Sequence, residues 1–173
     1  QTINIMHSSS LKKKFVIYCP QLVTGFNIRE LIHYLREDAD VEIEHHDILM
    51  SAETAENILA YRKADLVVTV VPVRNRSIIS TRFKTIESAL VCSSNHPRIN
   101  ASSTLKQVLE EQFTSLLSEE LGMKEYQSKT NEFMANRNIG FSSDSLISIT
   151  NVISNTDIIG IIPRAIFDLY APM

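Results

Sequence analysis

Apolar residues in this chain fall into short continuous runs, separated by stretches in which they recur at a helical period. Phe15-Val16-Ile17-Tyr18 is one such run, as expected of a strand covered on both faces of a parallel sheet; Cys19-Pro20-Gln21 ends it. Ile28, Leu31, Ile32 and Leu35 then stand at i, i+3, i+4 and i+7, the stripe of an amphipathic helix. Asn27 with Glu30 resembles a capping box, and a start just after Pro20 is the alternative. Val41-Glu42-Ile43-Glu44-His45 alternates apolar and polar, which predicts a strand half exposed or near an edge. Ser51 can cap a second helix whose inner face is Ala55, Ile58, Leu59 and Arg62. Asp65 leads into a valine-rich strand, Leu66–Val71, closed by Pro72. Strand, helix, strand, helix, strand is the order of right-handed parallel crossovers.

Arg74-Asn75-Arg76-Ser77 is a polar loop, and Ile78–Thr85 and Ile86–Cys92 read as extended segments before a break at Ser93–Pro97. The alternation then restarts. Thr104–Glu111 predicts a short helix with Leu105, Val108 and Leu109 inward, and Phe113–Leu117 a short strand. Tyr126, Thr130, Phe133, Met134 and Arg137 fit another helix. Ile139–Phe141 predicts a strand, Ser142-Ser143-Asp144 a polar turn, and Leu146, Ile147, Ile149, Val152 and Ile153 one face of a helix. Asp144 or Ser143 is expected to cap that helix, because a short side-chain oxygen accepts from its first free N–H groups. A strand over Ile158–Ile162, stopped by Pro163, and a helical turn over Ala165–Tyr170 follow. The expected organisation is a lead-in over 1–14, a first α/β lobe over 15–91 and a second over 92–173.

Composition narrows the classes. The chain is 44% hydrophobic and 21% charged with a net charge of −3, ordinary for a globular protein and unlike a nucleic-acid-binding surface. Lys12-Lys13-Lys14 is the basic run, and it solvates the approach to a strand. No apolar run is long enough to cross a bilayer and no signal-peptide pattern opens the sequence. Cys19 and Cys92 lack CxxC or Cys/His spacing and read as reduced thiols of a cytoplasmic protein. The start at Gln1 suggests a fragment. Glycine is scarce, and neither a P-loop nor GxGxxG is present; no cofactor is implied.

Candidate chemistry follows from where open α/β sheets bind ligands, outside the carboxyl ends of their strands. That rule selects Pro20 and Gln21, Ser51, Thr114 and Ser115, and Ser142 and Ser143. A helix N-terminus beside them favours a carboxylate or similar anion. Taken singly, each is most simply a cap or turn residue. His45-His46-Asp47 suggests a metal, but neighbours on a strand point to opposite faces, so the two imidazoles cannot share an ion. Cys19 suggests a nucleophile, yet no base or oxyanion cup is signalled nearby, and a small buried hydrophobe is the simpler reading. Glu110-Glu111 and Glu119-Glu120 read as solvated faces, as do Arg74 and Arg76.

The order of these elements resembles the effector-binding domain of LysR-type transcriptional regulators. The similarity is carried by Phe15–Gln21, by Ala64-Asp65-Leu66-Val67-Val68, by Glu87–Pro97 with its terminal His-Pro, and by the helix, Gly-containing strand and Pro-Arg of Ile149–Arg164. It covers most of residues 13–170 through loose motifs. Ser154-Asn155-Thr156-Asp157 departs from it, standing where the family has a glycine-rich turn. The resemblance implies two Rossmann-like lobes of the type 2 periplasmic-binding-protein kind joined by a hinge, here without the family's closing C-terminal segment. It implies a small-molecule effector between the lobes, near the strand ends named above, and self-association as a dimer or tetramer. A helix over Ile28–Leu35 and the strand near Val41–Ile48 would make the subunit contact. DNA would be bound by an N-terminal winged helix-turn-helix not present in this chain. The competing classes are a free-standing solute-binding protein of the same fold and an enzyme using Cys19.

Overall fold

The computed structural model describes residues 13–24, 28–37, 40–117 and 136–171. The expected lead-in up to Lys12, the Asn27 cap and the Tyr126–Met134 helix lie outside them. The chain divides into two units between Ser80 and Thr81.

In the first unit, β1 (Lys13–Tyr18) is central, flanked in parallel by β2 (Val41–His46) and by β3 (Leu66–Val67). The order β2-β1-β3 is that of the expected crossovers. β1 begins two residues earlier than the apolar run, because Lys13 and Lys14 pair with Val41 and Glu42. A short helix α1 (Gln21–Thr24) follows Pro20, and α2 (Ile28–Arg36) packs against β2. The α3 helix (Ala52–Ala60) is capped by Ser51, whose hydroxyl accepts from Thr54 N–H at 3.1 Å. It ends in a Schellman turn: Arg62 N–H reaches Leu59 C=O at 3.0 Å and Lys63 N–H reaches Ile58 C=O at 2.9 Å. Arg62, expected on the inner face, is instead exposed at φ 53°, since the chain must turn left-handed there to make those bonds. The Leu66–Val71 strand is also shorter than expected. Asp65 anchors its start, its N–H on Val16 C=O and its carboxylate on Val16 N–H.

In the second unit, β4 (Ser88–Val91) pairs antiparallel with β7 (Gly160–Pro163), and β5 (Gln112–Leu116) pairs in parallel with β6 (Asn138–Ser143). Ile159 joins the two pairs: its N–H reaches Gln112 C=O at 2.9 Å and its C=O accepts from Thr114 N–H at 2.8 Å. The boundary expected after residue 91 therefore falls too late. β4 belongs with the second unit because β7 supplies its ladder. The second half of the extended reading over Ile86–Cys92 contains β4, whereas Ile78–Thr85 forms no regular strand.

α4 (Leu105–Leu109) starts from a capping box of Thr104 and Gln107 and buries Val108 beneath Phe113 and Ile159. Leu105, expected inward, is exposed, as is Ile147 in α5 (Leu146–Asn155). α5 packs on β5 and β6 through Leu146, Ile149 and Ile153. Its many hydroxyls and amides fold back on its own carbonyls, among them Thr150 on Leu146 and Thr156 on Val152, both at 2.7 Å. That is how a buried Thr150 stays satisfied. α6 (Arg164–Tyr170) packs on β4 and β7.

Candidate functional site

Parallel strands leave their carboxyl ends side by side, and in the second unit this brings serines together. Ser115 and Ser142 are register partners on β5 and β6, so their side chains share one face of the sheet, strands lying about 4.8 Å apart. Neither hydroxyl is hydrogen-bonded among the described residues. Thr114 and Ser143 alternate to the opposite face. Thr114 is 3% exposed, and its hydroxyl faces Gly160 and lies beside Ile153 of α5. Ser143 is used locally: its hydroxyl accepts from Ser145 N–H at 3.0 Å, and its carbonyl accepts from Leu117 N–H at 2.8 Å.

The expected Ser142-Ser143-Asp144 turn is thus corrected. Ser142 and Ser143 are the last residues of β6, held there by pairing with β5. The helix cap is Ser145, which accepts from Ser148 N–H at 3.2 Å. Each serine of this cluster can cap equally well in sequence; strand pairing uses up the first two and leaves the third.

A bulge between Phe113 and Thr114 sets this arrangement. β6 fits Gly140 in as the extra residue, and a side chain there would sit 2.8–3.0 Å from the Gln112 side chain. Only a residue without Cβ fits beneath Gln112 without displacing it.

In the first unit the predicted residues gather at the ends of β1 and β2. Pro20 is fully buried and its carbonyl accepts from Val23 N–H at 2.9 Å. Gln21 N–H donates to the Asp47 carboxylate at 2.7 Å. Asp47, unselected by sequence reasoning, therefore already presents a carboxylate where an anion would be drawn. Its signal was present as an acidic residue directly after a strand, masked by the preceding histidines.

Those histidines separate as strand alternation requires. His45 Nε2 lies 2.8 Å from Cys19 C=O, whereas His46 stacks on Tyr18 with ring centroids 4.4 Å apart and meets Glu44 at 2.6 Å. Hydrogen bonds from Lys14, then His46, hold the Glu44 carboxyl below its ordinary range. Among the described residues no three His, Cys, Asp or Glu side chains form a metal-sized group. Cys19 is 4% exposed, so its thiol is not presented to a substrate.

A second polar cluster lies at the amino end of β5. The Arg98 guanidinium grips both Glu111 oxygens at 2.7 Å and Asp157 at 2.8 Å. Its hydrogen bonds, ahead of its charge, hold both carboxyls below their usual range. An open cavity of about 380 Å³ there is lined by Arg98, Glu110, Glu111, Gln112 and Asp157. Its acidic lining and its place at the opposite end of β5 separate it from the serines. No helix among the described residues is long and apolar enough to cross a membrane.

No family model matches the chain. It is 49% identical over 170 residues to YbdO, an uncharacterized HTH-type transcriptional regulator of Escherichia coli K12; the match covers 98% of this chain and 57% of that protein. YbeF, a second such regulator from the same strain, is 24% identical over 117 residues, covering 68% of this chain and 37% of its own. The chain spans about half the length of the curated relatives it matches. Among solved structures, the regulatory domain of MexT, a transcriptional activator in Pseudomonas aeruginosa, superposes with a TM-score of 0.66 at 16% identity, covering 94% of this chain and 78% of that one. The BenM effector binding domain with its effector benzoate gives 0.69 at 12%, covering 91% and 72%. At such identities the likeness establishes the fold alone, an α/β fold shared with these regulatory and effector-binding domains.

Proposed function

We propose that this chain, which has the fold of LysR-family effector-binding domains and is homologous to an HTH-type transcriptional regulator, is the ligand-sensing regulatory domain of a LysR-type regulator. It acts by binding a small effector and not by catalysis, in the cytoplasm. The observation that carries the site is the pair of hydroxyls on Ser115 and Ser142, unbonded among the described residues and in register at the carboxyl ends of parallel strands. Two hydroxyls that both donate and accept suit a small polar or carboxylate ligand. On the opposite face of the same two strands, Thr114 packs beneath Gly160 and Ser143 holds Ser145 N–H, which fixes the ends of β5 and β6 on which the pair stands.

An effector acts only by its differential affinity for two arrangements of the protein. The whole regulator would read that difference through self-association and DNA bound by another domain. Support for self-association comes from α2: Ile28, Leu31, Ile32 and Leu35 form its apolar stripe, yet none of its residues is fully buried. The edge strand β2 lies beside it.

A thermal-shift screen of small carboxylates and amino-acid-like compounds tests the reading. A true effector raises the melting temperature with concentration as binding linkage requires, and Ser142→Ala diminishes the shift. A hit whose shift Ser142→Ala leaves untouched would rule out this site.

A further inference from the structure

We infer that His96 and Arg98 form a clasp that sets how β5, and with it Thr114 and Ser115, meets the turn leading into β7. The His96 side chain is wholly buried. Its Nδ1 accepts from two backbone groups, Arg98 N–H at 3.1 Å and Ile99 N–H at 2.9 Å. The ring proton therefore sits on Nε2, which donates to Asp157 C=O at 2.8 Å. One imidazole thus folds its own loop and ties that loop to the turn after α5. Serine and threonine are too short for both tasks, and a lysine cannot accept.

Arg98, held in place by that folded loop, extends the tie. Its fork joins Glu111, directly before β5, to Asp157, two residues before Ile159. Ile159 is the residue that bonds Gln112 C=O and Thr114 N–H. The clasp therefore holds both strands immediately before the two hydrogen bonds that align Thr114, and Ser115 follows one residue on. His96 and Arg98 are positioning residues for that alignment; neither touches the serine hydroxyls.

The significance of the clasp for ligand binding rests on the site reading above, but its test does not. His96→Asn retains an acceptor for Arg98 and Ile99 N–H and is too short to reach Asp157. Amide hydrogen exchange on the full chain is expected to speed up about fivefold at Thr114 and Ile159, the equivalent of one lost hydrogen bond. Ile149, within α5, should keep its protection. Unchanged exchange at Thr114 and Ile159, or equal acceleration of every protected amide of the unit, would overturn the clasp. Arg98→Lys, which removes the planar fork and leaves His96 intact, covers a His96→Asn that does not fold. The same two amides should respond selectively, and their failure to do so counts equally against it. A ligand screen without hits would sink the site reading and leave this result standing.

Discussion

The Thr114 hydroxyl lies 2.5 Å from the point where a side chain on Gly160 would begin, with Ile153 crowding the same point from α5. Gly160 is thus the place where β7 passes under both β5 and α5 without room for a methyl group. Gly160→Ala is expected to destabilise the chain by about 1–3 kcal/mol, the usual penalty of overpacking. Ile153→Val in that background should recover part of the loss. Urea unfolding of the two variants measures both; a Gly160→Ala chain as stable as the parent would contradict the packing described.

Replacing Ser145 tests the corrected helix start. Its hydroxyl takes Ser148 N–H, so Ser145→Ala should cost about 1 kcal/mol. Ser142→Ala, which removes a hydroxyl with no described partner, should leave the unfolding midpoint nearly unchanged. Thermal melts that ranked the two variants in the opposite order would restore the turn reading of Ser142.

Arg62 pays a steric penalty for its left-handed backbone at the end of α3. Glycine adopts that conformation without a Cβ clash. Arg62→Gly is expected to stabilise the chain by up to about 1 kcal/mol. Calorimetry gives the sign directly, and a lowered melting temperature would mean that the Arg62 side chain contributes packing unseen in its exposure.

Acid should loosen the second unit. The Arg98 hydrogen bonds, ahead of its charge, depress the folded-state pKa of Glu111 from 4.5 and of Asp157 from 3.8. A depressed carboxylate adds stability that is complete above its unfolded pKa and is lost as pH falls through the folded one. The contribution is therefore intact above about pH 5 and disappears progressively below about pH 4.5. In Glu111→Gln the slope of stability against pH over that range should flatten. Denaturant titrations at pH 6, 4.5 and 3.5 measure it, and an identical slope in the variant would detach Glu111 from acid sensitivity.

Association through α2 has its own check. Leu31→Glu puts a charge into the helix's apolar stripe and should raise the dissociation constant of any self-complex at least tenfold, as a charge buried at an interface costs more than about 1.4 kcal/mol. Sedimentation velocity over a concentration series reads this. Unaltered association with folding retained would move the contact elsewhere.

The period of the apolar residues was enough to identify the α/β alternation, the parallel crossovers of the first unit and the strand ends at which Ser115 and Ser142 lie, because burial faces are written locally in the spacing of side chains. It was not enough for choices among chemically equivalent neighbours. Ser142, Ser143 and Ser145 can each cap a helix; pairing with β5 decided which one does. Arg62 and Ile147 fit an inner face by period, and only the turn of the chain and the packing of α5 turned them outward. Asp47 on Gln21, His96 on Asp157 and Ile159 between Gln112 and Thr114 join residues far apart in sequence. Such bonds depend on distances that no local pattern encodes, so the tertiary structure alone decided which hydroxyls are engaged by other described residues.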